Sequence, residues 1–388
     1  METGSPKLPG VFNYTVIKVN DVNCRALFDG DKREQKKAKS LLKWDSVNHI
    51  SLVWYYVHTR NCQRFKSDRG YITKPLTSEE RDFPIAFSIL MFKDVEQFER
   101  LLRAIYRPQN YYCVHVDVKA NEDIQNTVKV IVECFDNVFL IPTPVDVQWG
   151  TFSVLEPELL CMELLFKHKN WKYFINLTGQ EFPLKTNFEL VRILKAYNGS
   201  NDLEVNYFRA NRRRWLKVTK PPPHRIRPVK GSAHIAVNRG FVDYVLNNQT
   251  AKDFLQWTKL VDVPDEIFFA TLNHNPHLGI PGTYTGIPET NTNSKPFLTR
   301  FKNWGTWPFD WPCKGKRVRQ ICVLGIGDLP LLASRKEMFA NKFYFDYQHY
   351  ALDCLEEFLY NRTRDEYLEK LTFNDSYYKT LDFVKNRV

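Results

Sequence analysis

The sequence lacks the features that mark several large classes of protein. Its 388 residues contain no run of the roughly 18 apolar residues that a membrane-spanning helix needs. The best candidate, residues 83–92, is short and is interrupted by Pro84. No secretory signal peptide, internal repeat or low-complexity tract is present. We therefore expect contact with a membrane only through a segment outside this sequence.

The motifs of several common enzymes are also missing. There is no GxxxxGK[ST], no GxGxxG after a strand, no GxSxG and no HExxH. The Asp-x-Asp pair that would hold a divalent metal on a nucleotide diphosphate occurs once, at Asp29 and Asp31. It lies far ahead of the predicted sheet, and we interpret it as a chance occurrence. A bound diphosphate would then need arginine and lysine as its counter-charges.

The charge balance is strongly basic. Lys and Arg total 55 against 44 Asp and Glu, for a net charge of +11 and a pI of about 9.1. A negatively charged partner is expected, and nucleic acid, an anionic membrane surface and a nucleotide-sugar phosphate all fit. Basic residues are dense at residues 32–43 and 211–214. We interpret the first cluster as a solvated helix face, and no recognised nucleic-acid module surrounds either one.

The eight cysteines favour an oxidising compartment. None forms a CxxC pair or lies near histidine at metal-ligand spacing, which argues against a zinc site. Their even number fits four disulfides, with reduced core thiols as the alternative. N-glycosylation sequons support the disulfides, and the lumen of the secretory pathway is expected. The sequons are Asn13, Asn198, Asn248, Asn361 and Asn374, together with Asn176 in a predicted core strand.

Residues 83–197 alternate between short apolar segments and amphipathic ones, which predict strands and helices respectively. The first helix is predicted to begin at Asp94, with Gln97 as its capping-box partner. This alternation predicts βαβ units and a parallel sheet. The strands are predicted at residues 85–92, 111–117, 138–141 and 173–177, and the helices at residues 94–105, 124–134, 155–166 and 188–197.

Ligands of parallel sheets bind at the carboxyl ends of the strands. Asp117 closes one predicted strand and residues 178–180 follow another, so both are expected at that edge. Residues 281–316 are rich in Pro, Gly, Asn and Trp, which is typical of a binding surface built from loops.

Several segments, in the same order along nearly the whole chain, resemble the core-2/I-branching β-1,6-N-acetylglucosaminyltransferases. They are FPIAFS at 83–88, LLRAIYRPQNYYCVHVD at 101–117, WKYFINL at 171–177, FPLKTN at 182–187, PDE at 264–266, GDL at 327–329 and FANKF at 339–343. The resemblance implies a GT-A-type α/β fold with a Rossmann-like, mainly parallel sheet flanked by helices. It also implies inversion at the anomeric carbon without a metal or other cofactor.

The resemblance suggests a division of the chain and a location in the cell. We predict an N-terminal stem at residues 1–80 packed on a GT-A catalytic domain at residues 81–388. Residues 81–200 would form the nucleotide-sugar half, and residues 201–360 the acceptor half with the diphosphate-binding cations. The family implies a type II membrane protein of the Golgi lumen.

Glu266 falls on the catalytic base of that family. The base removes the proton as an acceptor 6-hydroxyl attacks C1 of the donor sugar, which contributes about 10²- to 10⁴-fold in rate. Taken alone, Glu266 is an acid in a first helical turn, where the helix macrodipole favours negative charge. The resemblance makes it the candidate base.

The resemblance also implies the donor-binding residues. Arg319 and Lys342 match two cations that neutralise the departing UDP diphosphate, which stabilises the charge that develops in the transition state. Asp117 and the strand end at Leu90 match positions around the uracil and the ribose. Trp149 stands where the family has an aromatic residue.

Glu204, Arg214 and Trp304 match acceptor contacts of the family. The charged pair would hydrogen-bond sugar hydroxyls, and the indole would stack on the apolar face of a pyranose, with buried packing as the alternative for the indole. The segment before Arg214 departs from the family, so its second basic contact has no clean counterpart. Asn211 or Arg212 stands there, and Arg212 is our candidate.

The cysteines match the disulfides of the family. The implied pairs are Cys24–Cys354, Cys62–Cys134, Cys113–Cys161 and Cys313–Cys322. The last pair would close a short loop around Arg319. Elsewhere the chain departs from its relatives, with Thr178 in place of a cysteine and His234 in place of a tyrosine.

We therefore predict an inverting glycosyltransferase that moves a sugar, with N-acetylglucosamine expected, from a UDP-sugar to the 6-hydroxyl of Gal or GalNAc in an O-glycan or glycoprotein. A UDP-glucose or UDP-xylose transferase on the same scaffold stays open. A catalytically inactive glycan-binding relative is the other alternative, but it has no use for Glu266, Arg319 and Lys342 together. No nucleic-acid partner is expected.

Overall fold

The computed structural model describes residues 16–44, 49–305 and 311–388. The sequon at Asn13 therefore lies outside the described residues. The strands are β1 Ile85–Met91, β2 Tyr111–Val116, β3 Val138–Leu140, β4 Tyr173–Thr178, β5 Glu181–Pro183, β6 Asp202–Asn206, β7 Lys230–Asn238, β8 Arg300–Lys302, β9 Lys316–Val318, β10 Ile321–Val323 and β11 Phe339–Asn341.

The α-helices flank these strands. They are α1 Cys24–Phe28, α2 Lys32–Trp44, α3 Leu52–His58, α4 Cys62–Asp68, α5 Ser78–Arg81, α6 Val95–Ile105, α7 Glu122–Val132, α8 Glu156–Phe166, α9 Asn187–Tyr197, α10 Arg213–Leu216, α11 Arg239–Asn247, α12 Gln249–Thr258, α13 Phe268–Asn273, α14 Leu329–Ala333, α15 Tyr350–Tyr367, α16 Ser376–Lys379 and α17 Asp382–Lys385.

Six strands form the central sheet in the order β3-β2-β1-β4-β7-β6. The four strands from β3 to β4 pair in parallel, whereas β7 is antiparallel to both β4 and β6. Leu90, near the end of β1, pairs with Thr178 on one side and His115 on the other. This confirms the predicted α/β fold with a mainly parallel sheet.

The sheet is buried on both faces, which explains why its strands are apolar almost throughout. Ile85, Phe87 and Ile89 of β1 pack into a core cluster with α6, α7 and α9. Ala86 faces the opposite cluster, which is built from α8, α11, α12 and α13. The alternation follows from the two-residue repeat of a strand.

The predicted capping box at the start of α6 is wrong. Asp94 has a left-handed backbone (φ 59°) and makes no side-chain capping hydrogen bond. Gln97 is buried and its Nε2 donates to the carbonyl of Phe343 at 3.1 Å. A capping residue needs an extended backbone to reach the N3 amide, which Asp94 does not have.

A second sheet has the order β5-β11-β8 and consists of three-residue strands. Asn341 of β11 lies opposite Glu181 of β5 and Lys302 of β8. Such short segments have no recognisable period, and the sequence did not predict them. They matter because they place Lys302 and Lys342 beside the carboxyl ends of the central strands.

The N-terminal residues pack on the sheet domain. Tyr55, Phe65 and Tyr71 join the core cluster on the α6 side. In α2, Ala38 is buried while most of the lysines are exposed, as expected of a solvated helix face. The division of the chain at residues 80 and 200 stays a prediction. Within the described part of the chain, no helix is long and apolar enough to cross a membrane.

All eight cysteines are paired. The disulfides are Cys24–Cys354, Cys62–Cys134, Cys113–Cys161 and Cys313–Cys322, the pairs that the resemblance implies. The Cys24–Cys354 bond joins α1 to α15 across 330 residues of chain.

Candidate active site

Glu266 ends a short 3-10 turn, Pro264–Glu266, that leads into α13. Val263 before the turn has a left-handed backbone (φ 54°), and its N–H donates to the carbonyl of Gly150 at 2.9 Å. This bond joins the Glu266 turn to the loop that carries Trp149. The turn ends with the Glu266 side chain among cations from two other elements.

The Glu266 carboxylate is held by two basic side chains. Oε2 accepts a hydrogen bond from Arg214 of α10 and lies 3.2 Å from Nζ of Lys230, the first residue of β7. Burial acts to raise the pKa of Glu266, but Lys230 and Arg214 outweigh it and hold the pKa below its ordinary value. Glu266 is therefore ionised at neutral pH, as a general base must be.

The neighbouring carboxyl differs. Asp265 is half-buried, and its buried Oδ1 has no hydrogen-bond partner among the described residues. Burial, together with the nearby charge of Glu266, raises the pKa of Asp265 to about 6. Of the two adjacent carboxylates, Glu266 has the stabilised negative charge.

Glu204 of β6 forms the second carboxylate site. Its Oε2 lies 3.0 Å from Nζ of Lys302, which also donates to Oγ of Ser232 at 2.8 Å. Burial acts to raise the pKa of Glu204, and Lys302 and Lys230 reverse this and lower it. Lys230 therefore acts on both Glu204 and Glu266, so the two carboxylates lie near the same ammonium group.

A glycine allows this close arrangement. A Cβ at Gly231 would lie 2.3 Å from the carbonyl oxygen of Glu204 and 2.4 Å from Cβ of Ala270. A side chain here would push β7 away from β6 and α13, and Lys230 would move with it.

The other predicted acceptor residues divide into two groups. Trp304, two residues beyond Lys302, is 45% exposed, which makes its ring available for stacking rather than buried packing. Arg214 reaches Glu266, but Arg212 is exposed and lies 5.6 Å from the ring of Tyr207. The basic partners that sequence reasoning missed are Lys230 and Lys302, since a single lysine at a strand end carries no pattern.

On the donor side, backbone hydrogen bonds join the end of β1 to the residues that follow β4 and β2. The carbonyl of Leu90 accepts from the N–H of Gly179 at 2.9 Å, and the N–H of Asp117 donates to Met91 at the same distance. A Cβ at Gly179 would lie 3.1 Å from that of Met91. Asp117 and the residues that follow β4 therefore lie at the carboxyl edge of the sheet, as predicted, and Leu90 lies there with them.

Asp117 also organises a loop. Its carboxylate accepts from the N–H and the Nζ of Lys119 at 2.9 and 3.1 Å. The same ammonium group reaches Oδ1 of Asp146 at 2.7 Å and the carbonyl of Val147 at 2.5 Å. Trp149 follows in this loop and is 83% exposed, with its ring open to a ligand.

Lys342 is tied to the same edge. The N–H of Phe343 donates to Gln180 at 2.8 Å, and the carbonyl of Lys342 accepts from Leu324 at 2.9 Å. Since Gln180 follows the Gly179 that is bonded to Leu90, the backbone places Lys342 beside the end of β1.

Three lysines surround the ring of Tyr344. The ammonium groups of Lys342, Lys93 and Lys316 lie 5.4, 5.5 and 5.8 Å from its centroid, within cation–π range. Lys316 also lies 4.2 Å from the ring centroid of Tyr347. Lys93 pairs with Asp94 at 3.4 Å, but neither Lys316 nor Lys342 has a carboxylate partner among the described residues. The lysine cluster (Lys93, Lys316 and Lys342) is therefore a concentration of positive charge.

Arg319 lies at the tip of the β9–β10 hairpin. Val318 pairs with Ile321, so Arg319 and Gln320 form a two-residue turn, and both have positive φ (48° and 72°), as in a type I′ turn. The guanidinium is exposed and has no carboxylate partner in the described part of the chain. Beyond the tip, a backbone hydrogen bond joins β10 to the loop that carries Trp304. The N–H of Cys322 donates to the carbonyl of Asn303 at 2.9 Å.

Among the described residues, no group of three or more His, Cys, Asp or Glu side chains is arranged so that it could bind a metal ion. Asp29 pairs with Arg25 at 3.0 Å, and Asp31 accepts from the N–H of Glu34 at 2.8 Å. Both aspartates thus have local structural roles near α1 and α2, in line with a chance Asp-x-Asp.

The described sequons differ in exposure. Asn198, Asn248 and Asn374 are exposed, and Asn361 is half-buried in α15. Asn176 is buried in β4. Its side-chain amide donates to the carbonyl of Ala233 and accepts from the N–H of Ile235, at 2.7 Å each.

Comparison with known proteins shows the family. The Core-2/I-Branching enzyme family matches residues 85–333. A cattle "Beta-1,3-galactosyl-O-glycosyl-glycoprotein beta-1,6-N-acetylglucosaminyltransferase" is 35% identical over 88% of this chain and 85% of its own length. The sheep enzyme with the suffix 3 is 36% identical over 89% and 84%, and a bovine herpesvirus 4 enzyme is 35% identical over the same shares. Mouse xyloside xylosyltransferase 1 shows a TM-score of only 0.28 at 12% identity, covering 50% of this chain and 83% of that structure.

The chain therefore belongs to the core-2/I-branching enzyme family, and it is a glycosyltransferase. This confirms the family, the GT-A-like fold and the class of enzyme predicted from the sequence. As a glycosyltransferase it needs a sugar donor and a glycan acceptor. The roles of the individual site residues stay predictions.

Proposed function

We propose that this protein transfers N-acetylglucosamine from UDP-N-acetylglucosamine, in β-1,6 linkage, to a galactosyl-GalNAc core of an O-glycan. The names of its relatives state β-1,6 transfer of N-acetylglucosamine to a β-1,3-galactosyl O-glycosyl glycoprotein for those enzymes. The observation that carries the proposal to this chain is the ionised Glu266 between Arg214 and Lys230. A base of this kind is what attack by a sugar hydroxyl requires.

In the proposed reaction, Glu266 takes the proton of the acceptor 6-hydroxyl while that oxygen attacks C1 of the donor. The C1–O bond to the β-phosphate breaks on the opposite face, and its electron pair leaves with UDP, so the anomeric centre is inverted. Arg214 and Lys230 keep the base ionised before the acceptor arrives. Protonating Glu266 releases them to donate to sugar oxygens.

The departing diphosphate is the natural ligand of the donor-side cations. Lys342 and Arg319 are the predicted contacts, and Lys316 adds a third cation whose charge is unmatched by any described carboxylate. Fixed positive charge stabilises the leaving group without reorganisation, typically by a few kcal/mol for each group. We propose on this basis that the reaction needs no metal. Leu90, Asp117 and Trp149 would line the nucleoside.

On the acceptor side, Glu204 would accept hydrogen bonds from sugar hydroxyls and Trp304 would stack on the pyranose. Arg214 would donate to the sugar, whereas Arg212 would act from the rim of the cleft. Sugar stacking uses the apolar face of the ring and adds contact area without a charge.

The proposed setting is the Golgi lumen, with the protein anchored as a type II membrane protein. Four disulfides fit an oxidising compartment. The exposed sequons Asn198, Asn248 and Asn374 are the proposed glycosylation sites, with Asn361 and Asn13 as further candidates.

The test is a panel of UDP-sugars assayed against Galβ1,3GalNAc and simple Gal or GalNAc acceptors, with the product linkage determined. We expect transfer from UDP-N-acetylglucosamine in β-1,6 linkage. Preference for UDP-glucose or UDP-xylose would overturn the donor assignment. Binding of glycan without transfer from any donor would instead identify a glycan-binding relative.

A further inference from the structure

A partly buried histidine lies behind the acceptor side of the site. Nε2 of His234, on β7, is 2.6 Å from Oε1 of the fully buried Glu181. Its Nδ1 is 3.0 Å from Oγ of Ser232 on the same strand. Ser232 accepts from Lys302 at 2.8 Å, and Lys302 pairs with Glu204 at 3.0 Å. Four polar contacts thus join a buried carboxylate to a partly exposed one.

Lys302 is the donor at the centre of this network, toward Glu204 on one side and toward Ser232 on the other. The ammonium group of Lys302 can only donate hydrogen bonds, so Oγ of Ser232 accepts from it. The same Oγ also accepts from the backbone N–H of His234 at 3.2 Å. The hydroxyl of Ser232 then donates a hydrogen bond to Nδ1 of His234, and the N–H at Nε2 donates a hydrogen bond to Glu181. A neutral imidazole satisfies every group. Burial lowers the pKa of His234 even though Glu181 acts to raise it.

Further hydrogen bonds fix Glu181, at the buried end of this network. Glu181 accepts from Nε of Arg300 at 2.7 Å and from Nδ2 of Asn341 at 2.9 Å. Burial acts to raise the pKa of Glu181, but Arg300 and His234 lower it to about 2. Glu181, Asn341 and Lys302 also lie in one row of the β5-β11-β8 sheet. Glu181 is therefore a fixed point against which His234 is oriented.

We infer that His234 is a positioning residue that, through Ser232 and Lys302, fixes the Glu204 carboxylate for acceptor binding. The inference rests on the proposed function, which gives Glu204 its acceptor role. Lysine has a flexible stem and three rotatable donors, so without Ser232 its ammonium group loses one of its two oriented partners. The loss would weaken the binding of the acceptor and leave the donor site unchanged.

Ser232→Ala tests this with the smallest change in volume. Losing one hydrogen bond to a charged group is worth about 1.5 kcal/mol, which is roughly tenfold in binding. We therefore expect the acceptor KM to rise about tenfold, with kcat and the UDP dissociation constant unchanged. Ser200→Ala is the matched control, because Ser200 is equally buried but bonds to Val384, away from the site, at 3.5 Å. It should leave the acceptor KM at the wild-type value.

A double-mutant cycle separates positioning from a general structural effect. If Ser232 acts through Lys302, adding Ser232→Ala to Lys302→Met raises the acceptor KM no further, because the link is already broken. His234→Phe keeps a ring of similar size and removes both contacts, so it should match Ser232→Ala. Should His234→Phe fail to fold, the Ser232 and Lys302 variants decide the question.

The outcomes distinguish this inference from the proposed function. Wild-type protein that transfers no N-acetylglucosamine overturns the proposed function, and the inference falls with it. An active wild type whose acceptor KM is unchanged by Ser232→Ala overturns the inference alone. Independent, additive effects of the Ser232 and Lys302 variants also overturn it.

Discussion

On the acceptor side of the candidate site the carboxylates of Glu266 and Glu204 have cationic partners, whereas on the donor side cations predominate. Glu266 pairs with Arg214 and Lys230, and Glu204 pairs with Lys302. In the lysine cluster the ammonium groups of Lys316 and Lys342 lie against tyrosine rings instead. The acceptor side therefore carries its own counter-charges, and the donor side leaves its positive charge for a ligand.

The difference matches the chemistry of the two substrates. A sugar hydroxyl is neutral, so it competes poorly for a carboxylate unless that carboxylate is already oriented, and the ion pairs supply that orientation. A nucleoside diphosphate brings several negative charges of its own. Lysines that repel one another gain by binding it, because the ligand relieves their repulsion as well as forming new hydrogen bonds.

The largest expected effect is on the acceptor side. Glu266→Gln keeps the shape of the side chain but removes the base, so turnover should fall at least ~100-fold. UDP binding should persist, because the donor cations are untouched. Steady-state kinetics and calorimetry with UDP measure the two quantities.

Asp265→Asn is the companion variant, since Asp265 is the adjacent carboxyl and has no cationic partner of its own in the described structure. It should retain most of the turnover. If Glu266→Gln keeps near-normal turnover while Asp265→Asn or Glu204→Gln loses it, the base has been assigned to the wrong residue.

The next effect is on the donor side. Arg319→Ala and Lys342→Ala should each weaken UDP binding about tenfold or more, the usual value of a charge-assisted hydrogen bond. Lys316→Met should act in the same direction. UMP has one phosphate fewer, so its binding should change less in all three variants.

Lys336→Met is the matched control for these variants. Its ammonium group also lies over a tyrosine, 5.6 Å from the ring centroid of Tyr377, outside the lysine cluster. Equal weakening of UDP binding by Lys336→Met and Lys316→Met would show a general effect of net charge, and the diphosphate assignment of Lys316 would be withdrawn.

A smaller effect is expected on the pH profile. Lys230 lowers the pKa of Glu266, so Lys230→Met should raise that pKa, because burial is then less fully opposed. Glu266 would bind its proton at higher pH, and the acid limb of kcat should move to higher pH. Turnover against pH for both proteins measures the shift.

Lys217→Met is the control for the pH profile, because Lys217 pairs with Asp262 rather than with Glu266. It should leave the acid limb in place. An acid limb that is the same in Lys230→Met and in the wild type would mean that another group titrates in the profile.

The smallest effect expected is that of a chelator. If lysine and arginine neutralise the diphosphate, activity in EDTA should equal activity without it. Loss of transfer in EDTA that manganese restores would contradict this and would point to a metal held by the donor itself.

The sequence predicted the four parallel strands β1 to β4 because they are apolar almost throughout, but it did not predict β6, in which polar and apolar residues are mixed. It missed the three-residue strands β5, β8 and β11, which are too short to show a period. The capping box at Asp94 failed because the backbone there is left-handed. Glu266, Arg214 and Lys342 were found only through the family resemblance.

Lys230, Lys302 and Lys316 could not have been found from the residues alone. Each is a single lysine at one end of a strand, in a chain with 55 lysines and arginines. Their neighbours in the sequence contain no motif that distinguishes them from surface charges. Only their contacts identify them.

The sequence by itself determined the alternation of strands and helices and the carboxyl edge at which Leu90 and Asp117 lie, because hydrophobic periodicity is a local property. Only the tertiary structure decided which cation serves which carboxylate. Lys302 and Glu204 are 98 residues apart, and Asn341 and Glu181 are 160 apart. Such pairs form when distant strands come into register, and the geometry of that packing, not the identity of any one residue, separates a base from a surface acid.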